Sequence, residues 1–130
     1  MKEQDDKKLH LTAKEEEVMR ILWEHGPMLV KEVLEYLPEP RPHVNTVSTV
    51  IRVLEKKGYV GHEKEVGTYR YHAILEKDSY RKTTLMTMLR NYFDNSLKSM
   101  VSALVQEEKL SDEEINECID IIEKKKTKKH

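Results

Sequence analysis

Apolar and polar positions along this chain follow three successive rhythms. From Thr12 the apolar residues Val18, Ile21 and Leu22 recur at helical spacing. Thr12 with Glu15 three places on forms a capping box, and the acidic run Glu15 to Glu17 suits the positive end of a helix dipole. Gly26-Pro27 ends that helix, and Trp23 reads as a core anchor. Val30, Val33, Leu34 and Leu37 mark a second helix over about 29–37, stopped by the segment PEPRP at 38–42. A third helix over about 43–57 has Val44, Val47, Val50, Ile51 and Leu54 on one side. Asn45, Ser48, Thr49, Arg52 and Lys56 lie on the other. The Val, Ser and Thr content would also admit a strand on propensity alone.

After Gly58 the period drops to two. Residues 59–64 and 68–73 alternate and are rich in aromatic and β-branched residues, which predicts two strands joined by a turn containing Gly67. Arg70 and His72 fall on one face of the second strand, Tyr69 and Tyr71 on the other.

From Asp78 the rhythm returns to helical. Leu85, Met88 or Leu89, Tyr92, Leu97, Met100, Val101, Leu104 and Val105 trace one stripe, predicting a single helix over 78–107. At about thirty residues it would be about 45 Å long, overshooting a small domain and leaving apolar surface for a partner chain. Ser111 and Glu114 form a second capping box, opening a last helix striped by Ile115, Ile119 and Ile122, with Cys118 in or beside that face.

Together these elements predict a mainly α fold with a small β-hairpin: an N-terminal winged helix-turn-helix followed by a C-terminal helical dimerisation region. The expected organisation is a flexible N-terminus (1–8), a winged-helix domain (9–76), a dimerisation region (77–124) and a basic disordered tail (125–130).

The polar side of the third helix differs from an ordinary solvated face because its first two turns carry short hydrogen-bonding side chains. Such residues permit close approach to base edges in a major groove, and cations behind them reach phosphates. Asn45, Thr46, Ser48 and Thr49 are therefore the expected base contacts. Arg41, Arg52, Lys56, Lys64 and Arg70 are the expected phosphate contacts.

The chain's net charge of −1 argues against indiscriminate nucleic-acid binding, but its distribution is uneven. Between Arg41 and His72 six cations face three anions, a moderate local patch around the third helix. With 38 % hydrophobic and 36 % charged residues, the 130-residue chain suits a helical protein with a modest core. The polar N-terminus and the absence of a long apolar run predict a cytoplasmic protein without membrane insertion.

Cys118 stands alone, which excludes an intramolecular disulfide and a cysteine-based metal cluster. The six histidines lack metal-ligand spacing, and no phosphate loop or nucleophile elbow is present, so neither a metal, a cofactor nor an enzymatic activity is expected.

The segments LTAKEEEVMRILWEHG, NTVSTVIRVLEKKGYV, TYRYHAI and LKSMV, in that order over about 11–123, resemble the penicillinase-repressor family of BlaI/MecI type, to which the copper-responsive CopY repressors are related. The resemblance implies a homodimeric winged-helix repressor of an inverted-repeat DNA operator. It further implies a membrane-bound sensor protease that relieves repression through cleavage in the dimerisation region.

The chain departs from the family at several places. Val53 stands where an Arg is common before Leu54, with Arg52 about 100° away around the helix. The wing tip has Gly67-Thr68 in place of Gly-Arg, and Ala103-Leu104 occupies the position of the staphylococcal scissile Asn-Phe pair. The cysteine cluster of the copper-responsive relatives is absent. A MarR-like regulator and a winged-helix protein-docking module are the alternative readings.

Overall fold

The computed structural model describes residues 10–107 and 110–128. The predicted flexible segment 1–8 lies outside them. The elements are α1 (Ala13–His25), α2 (Val30–Tyr36), α3 (Val44–Lys56), β1 (Val60–Glu65), β2 (Thr68–Ala73), α4 (Lys77–Phe93), α5 (Leu97–Gln106) and α6 (Asp112–Lys128). The chain forms two compact units, the first ending at Met86 and the second beginning at Thr87.

In the first unit α1 starts at the expected capping box. Glu15 N–H donates to Thr12 Oγ1 at 3.2 Å, and Thr12 N–H donates to Glu15 Oε1 at 2.9 Å. At α2 the Leu29 N–H donates to Glu32 Oε1 at 2.8 Å, while the leucine side chain offers no acceptor to the first-turn amides.

The three helices enclose a core whose most buried side chains are Met19, Val33, Val47, Ile51, Leu54 and Val60. This agrees with the periodicity except at Val44, which begins α3 and stays exposed because the core-facing stripe starts one turn later, at Val47. Helix α3 ends through Gly58, whose φ of 86° is the left-handed conformation that lets Tyr59 N–H return to the Leu54 carbonyl at 3.0 Å.

Strands β1 and β2 pair antiparallel, with His62 opposite Tyr71, Glu63 opposite Arg70 and Lys64 opposite Tyr69. Gly67, at φ 74°, turns the hairpin. Met28 adds a bridge to Tyr71 through two backbone hydrogen bonds of 2.8 and 2.9 Å, tying the segment between α1 and α2 to the hairpin. The half-buried Trp23 packs on the core as expected. Its indole N–H donates to the Leu75 carbonyl at 2.8 Å and its ring lies 5.7 Å from that of Tyr80. This order of three helices and a hairpin is the winged helix.

The predicted continuous helix over 78–107 is broken. Asp94 and Asn95 adopt φ of 51° and 63°, and Ser96 restarts the helix by accepting Ser99 N–H at 3.0 Å. Asp and Asn visit the left-handed region more readily than other non-glycine residues, and a Ser follows at once to cap α5.

Helix α6 opens on the expected Ser111–Glu114 box, where Glu114 N–H donates to Ser111 Oγ at 3.1 Å. It continues to Lys128, so the predicted disordered tail is helical over 125–128. Lysines are good helix formers and suit the negative end of the helix dipole, which offsets their mutual repulsion. Residues 129–130 lie outside the described residues.

No described residue of the second unit is buried. Leu97 is 61 % exposed and Ile121 69 %, while Val101, Leu104, Val105, Ile119 and Ile122 are also exposed. Met100 and Ile115 are half-buried, and Cys118 is exposed. In the first unit Leu85 is exposed as well.

Candidate nucleic-acid interface

Helix α3 presents Asn45, Thr46 and Thr49 outward, all exposed, with Ser48 half-buried beside them. The N-terminus of α3 is capped by His43, whose Nδ1 accepts Asn45 N–H at 3.0 Å. Thr49 Oγ1 donates to the Asn45 carbonyl at 2.9 Å, so its hydroxyl oxygen is left as an acceptor.

The five predicted phosphate contacts divide by their present partners. Arg52, Lys56 and Lys64 are exposed and make no ion pair among the described residues. Arg41 instead donates to the carbonyls of Leu37 and Glu35, at 3.4 and 3.2 Å, and pairs with Glu39 at 3.3 Å. Arg70 is held by Glu65 at 2.5 Å and reaches Glu32 of α2 at 3.5 Å. The Arg70 guanidinium, through its hydrogen bond, holds the Glu65 carboxyl below its ordinary pKa. The β register puts Lys64 and Arg70 on opposite faces of the hairpin.

Two contacts lock the base of this surface, and neither was anticipated from the sequence. Lys57, which the charge count included in the basic patch, turns inward and bonds both carboxylate oxygens of Glu15 at 2.8 and 2.9 Å. Glu15 is buried; burial pushes its pKa up, but Lys57 and the Thr12 amide together outweigh that and leave it below the ordinary value. At the hairpin, His62 Nδ1 contacts Glu55 of α3, and the His62 ring lies 4.5 Å from that of Tyr69 and 5.5 Å from that of Tyr71. His62 and Lys64 share a strand face, so Lys64 stands on the face of the wing that meets α3.

A winged helix with a polar, partly cationic recognition-helix face defines the general class of winged-helix DNA-binding proteins. A solved MarR family protein from Bacillus stearothermophilus has the same fold, with a TM-score of 0.50 and 19 % identity over 97 % of this chain and 85 % of that one.

Residues 11–124 match the penicillinase repressor family, and the chain belongs to that family. It is 31 % identical to the penicillinase repressor of Bacillus licheniformis, over 87 % of this chain and 89 % of the relative. It is 27 % identical to the methicillin resistance regulatory protein MecI of Mammaliicoccus sciuri, over 93 % and 99 %. The penicillinase repressor of Staphylococcus aureus is 27 % identical over 90 % and 94 %. No helix among the described residues is long and apolar enough to cross a membrane.

Proposed function

We infer that this chain is a homodimeric, sequence-specific DNA-binding transcriptional repressor that grips an inverted-repeat operator with two winged-helix heads. The observation that carries the reading is the outer face of α3. Short polar side chains there are exposed or, at Ser48, half-buried, and Arg52, Lys56 and Lys64 have no carboxylate partner to satisfy them among the described residues. Its relatives' names, penicillinase repressor and methicillin resistance regulatory protein, fit the same reading.

Asn45, Thr46, Ser48 and Thr49 read bases, while Arg52, Lys56 and Lys64 contact phosphates. Arg41 and Arg70 join them by exchanging carboxylate or carbonyl partners for phosphate. Three free cations per head bind weakly alone, so two heads must act together.

The dimer is formed by apolar stripes of which no member is buried among the described residues: Leu85, Leu89 and Tyr92 of α4, Leu97, Met100, Val101, Leu104 and Val105 of α5, and Ile115, Ile119 and Ile122 of α6, with Leu89, Met100 and Ile115 half-buried and the rest exposed. Repression is relieved by proteolysis or loss of the dimer, with a membrane-bound sensor protease as the upstream partner. The scissile position implied by family resemblance, Ala103-Leu104, lies in the last turn of α5, so cutting there requires that turn to unwind.

The test is selection of duplexes from a random library by the intact protein, followed by gel-shift titration across salt concentrations and sedimentation of the free protein. An inverted repeat bound by a dimer, with affinity falling steeply with salt, is the expected result. A stable monomer at micromolar concentration, or no bound duplex at low salt, refutes the reading.

A further inference from the structure

Helix N-caps are normally Ser, Thr, Asp or Asn, whose side-chain oxygens accept a first-turn N–H. Helix α3 uses His43 instead. Its backbone is extended, at φ −66° and ψ 148°, and its carbonyl already accepts from Thr46 at 3.0 Å and Val47 at 3.3 Å. The imidazole Nδ1 accepts from Asn45 N–H at 3.0 Å, which a ring can do only with its proton on Nε2. His43 is exposed, and among the described residues it makes no ion pair or ring contact, so this cap is the one role the structure displays for its side chain.

The residue so gripped is Asn45. Its N–H is bound by the His43 ring, and its carbonyl accepts the Thr49 hydroxyl at 2.9 Å. Both ends of one peptide segment are tied while its amide side chain stands exposed in the first turn of α3. Among side chains that read the major groove, an Asn amide matches adenine, accepting from N6 and donating to N7. Such a bidentate contact depends on orientation, and orientation is what a doubly tied backbone supplies.

We propose that His43 is a positioning residue for base reading: its Nδ1 cap aims Asn45, which reads an adenine in each operator half-site. This rests on the DNA-binding reading above.

Two variants separate the cap from other roles. His43→Ala removes the acceptor, and His43→Asn restores one without the ring. With the duplex selected by the wild-type protein, His43→Ala should weaken binding by about fivefold for each engaged head, the worth of an N-cap. A scrambled duplex should bind nearly as before. Selection with His43→Ala should blur the adenine position, and His43→Asn should return both affinity and adenine preference. Without DNA, nitrogen NMR should show the His43 proton on Nε2, and Asn45 amide protection from exchange should be lost in His43→Ala and regained in His43→Asn.

The proposal is overturned if His43→Ala matches the wild type, or if it weakens both duplexes equally. It also fails if His43→Asn is as weak as His43→Ala, which would mean that the ring itself touches DNA. A wild-type protein that selects no duplex removes the DNA-binding reading and this proposal together. Selection of a duplex without adenine at the blurred position removes only the proposal.

Discussion

Replacing Lys57 with methionine tests the packing beneath the recognition helix. The substitution keeps most of the aliphatic stem but leaves the Glu15 carboxylate, 6 % exposed in its side chain, without its cation. Breaking a fully buried pair costs about 3–5 kcal/mol. Here the Lys57 side chain is 37 % exposed and Glu15 keeps the Thr12 N–H, so solvent and the remaining bond reduce the expected loss to about 1–2 kcal/mol. For a head of this size that lowers the melting temperature by about 5–15 °C.

The pH dependence of Lys57→Met is more diagnostic than its size. In the wild type, burial pushes the Glu15 pKa up, but Lys57 and the Thr12 amide bring it below the ordinary carboxylate value. Its stabilisation is therefore fully present above the unfolded-chain value of about 4.3 and is lost as pH falls through the lower folded value. Without Lys57, burial, already the largest single influence, is opposed only by the Thr12 bonds, and the folded pKa should rise above the unfolded one. The variant then gains relative stability as the carboxyl takes up its proton, so its deficit should shrink steadily from neutral pH to about pH 3. Urea unfolding followed through Trp23 fluorescence at fixed protomer concentration measures this. Adding Glu15→Gln to Lys57→Met should recover much of the loss at pH 7. A deficit below about 0.5 kcal/mol at pH 7, or one that does not change on acidification, refutes the reasoning.

Further outcomes are expected at the interface and the apolar stripes. Thr49→Ala should relax base preference by about 1–3 kcal/mol if its hydroxyl oxygen accepts from a base, read by gel shifts on single-base variants of the selected duplex. Lys56→Ala or Lys64→Ala should weaken all duplexes about equally and lower the slope of log K against log salt by about one. Arg70→Ala should lower that slope less, since its charge is already paired in the free protein. Leu104→Asp should raise the dimer dissociation constant by about a hundredfold or more in sedimentation, because a twofold interface loses the same buried apolar contact twice. Asn95→Ala should destabilise the second unit by about 1 kcal/mol in thermal unfolding while Asn95→Gly should not, since its φ of 63° suits glycine.

Features decided within a few residues were legible in the sequence. The capping boxes at Thr12 and Ser111, the core stripe of Val47, Ile51 and Leu54, and the alternation around Tyr69 and Tyr71 follow from local periodicity and local hydrogen bonding. The break at Asp94-Asn95 was written just as locally, in two residues tolerant of positive φ followed by a Ser cap. The apolar stripe running past it reads as an unbroken helix because periodicity counts side chains and ignores the sign of φ.

The pairing of the charges was not legible, and its longest-range members least of all. Lys57 finds Glu15 across 42 residues of sequence, and Arg70 finds Glu32 across 38. Counting cations from Arg41 to His72 treats all six as available to a phosphate backbone. The fold withdraws Lys57 into the base of α3, commits Arg41 to the end of α2, and spends Arg70 on holding the wing. Arg52, Lys56 and Lys64 remain, with Lys64 on the wing face that meets α3. The charge a groove would meet is thus what intramolecular pairing leaves behind, and with so little of it per head, the proposed repressor draws its affinity from two heads and its discrimination from the short polar residues between the cations.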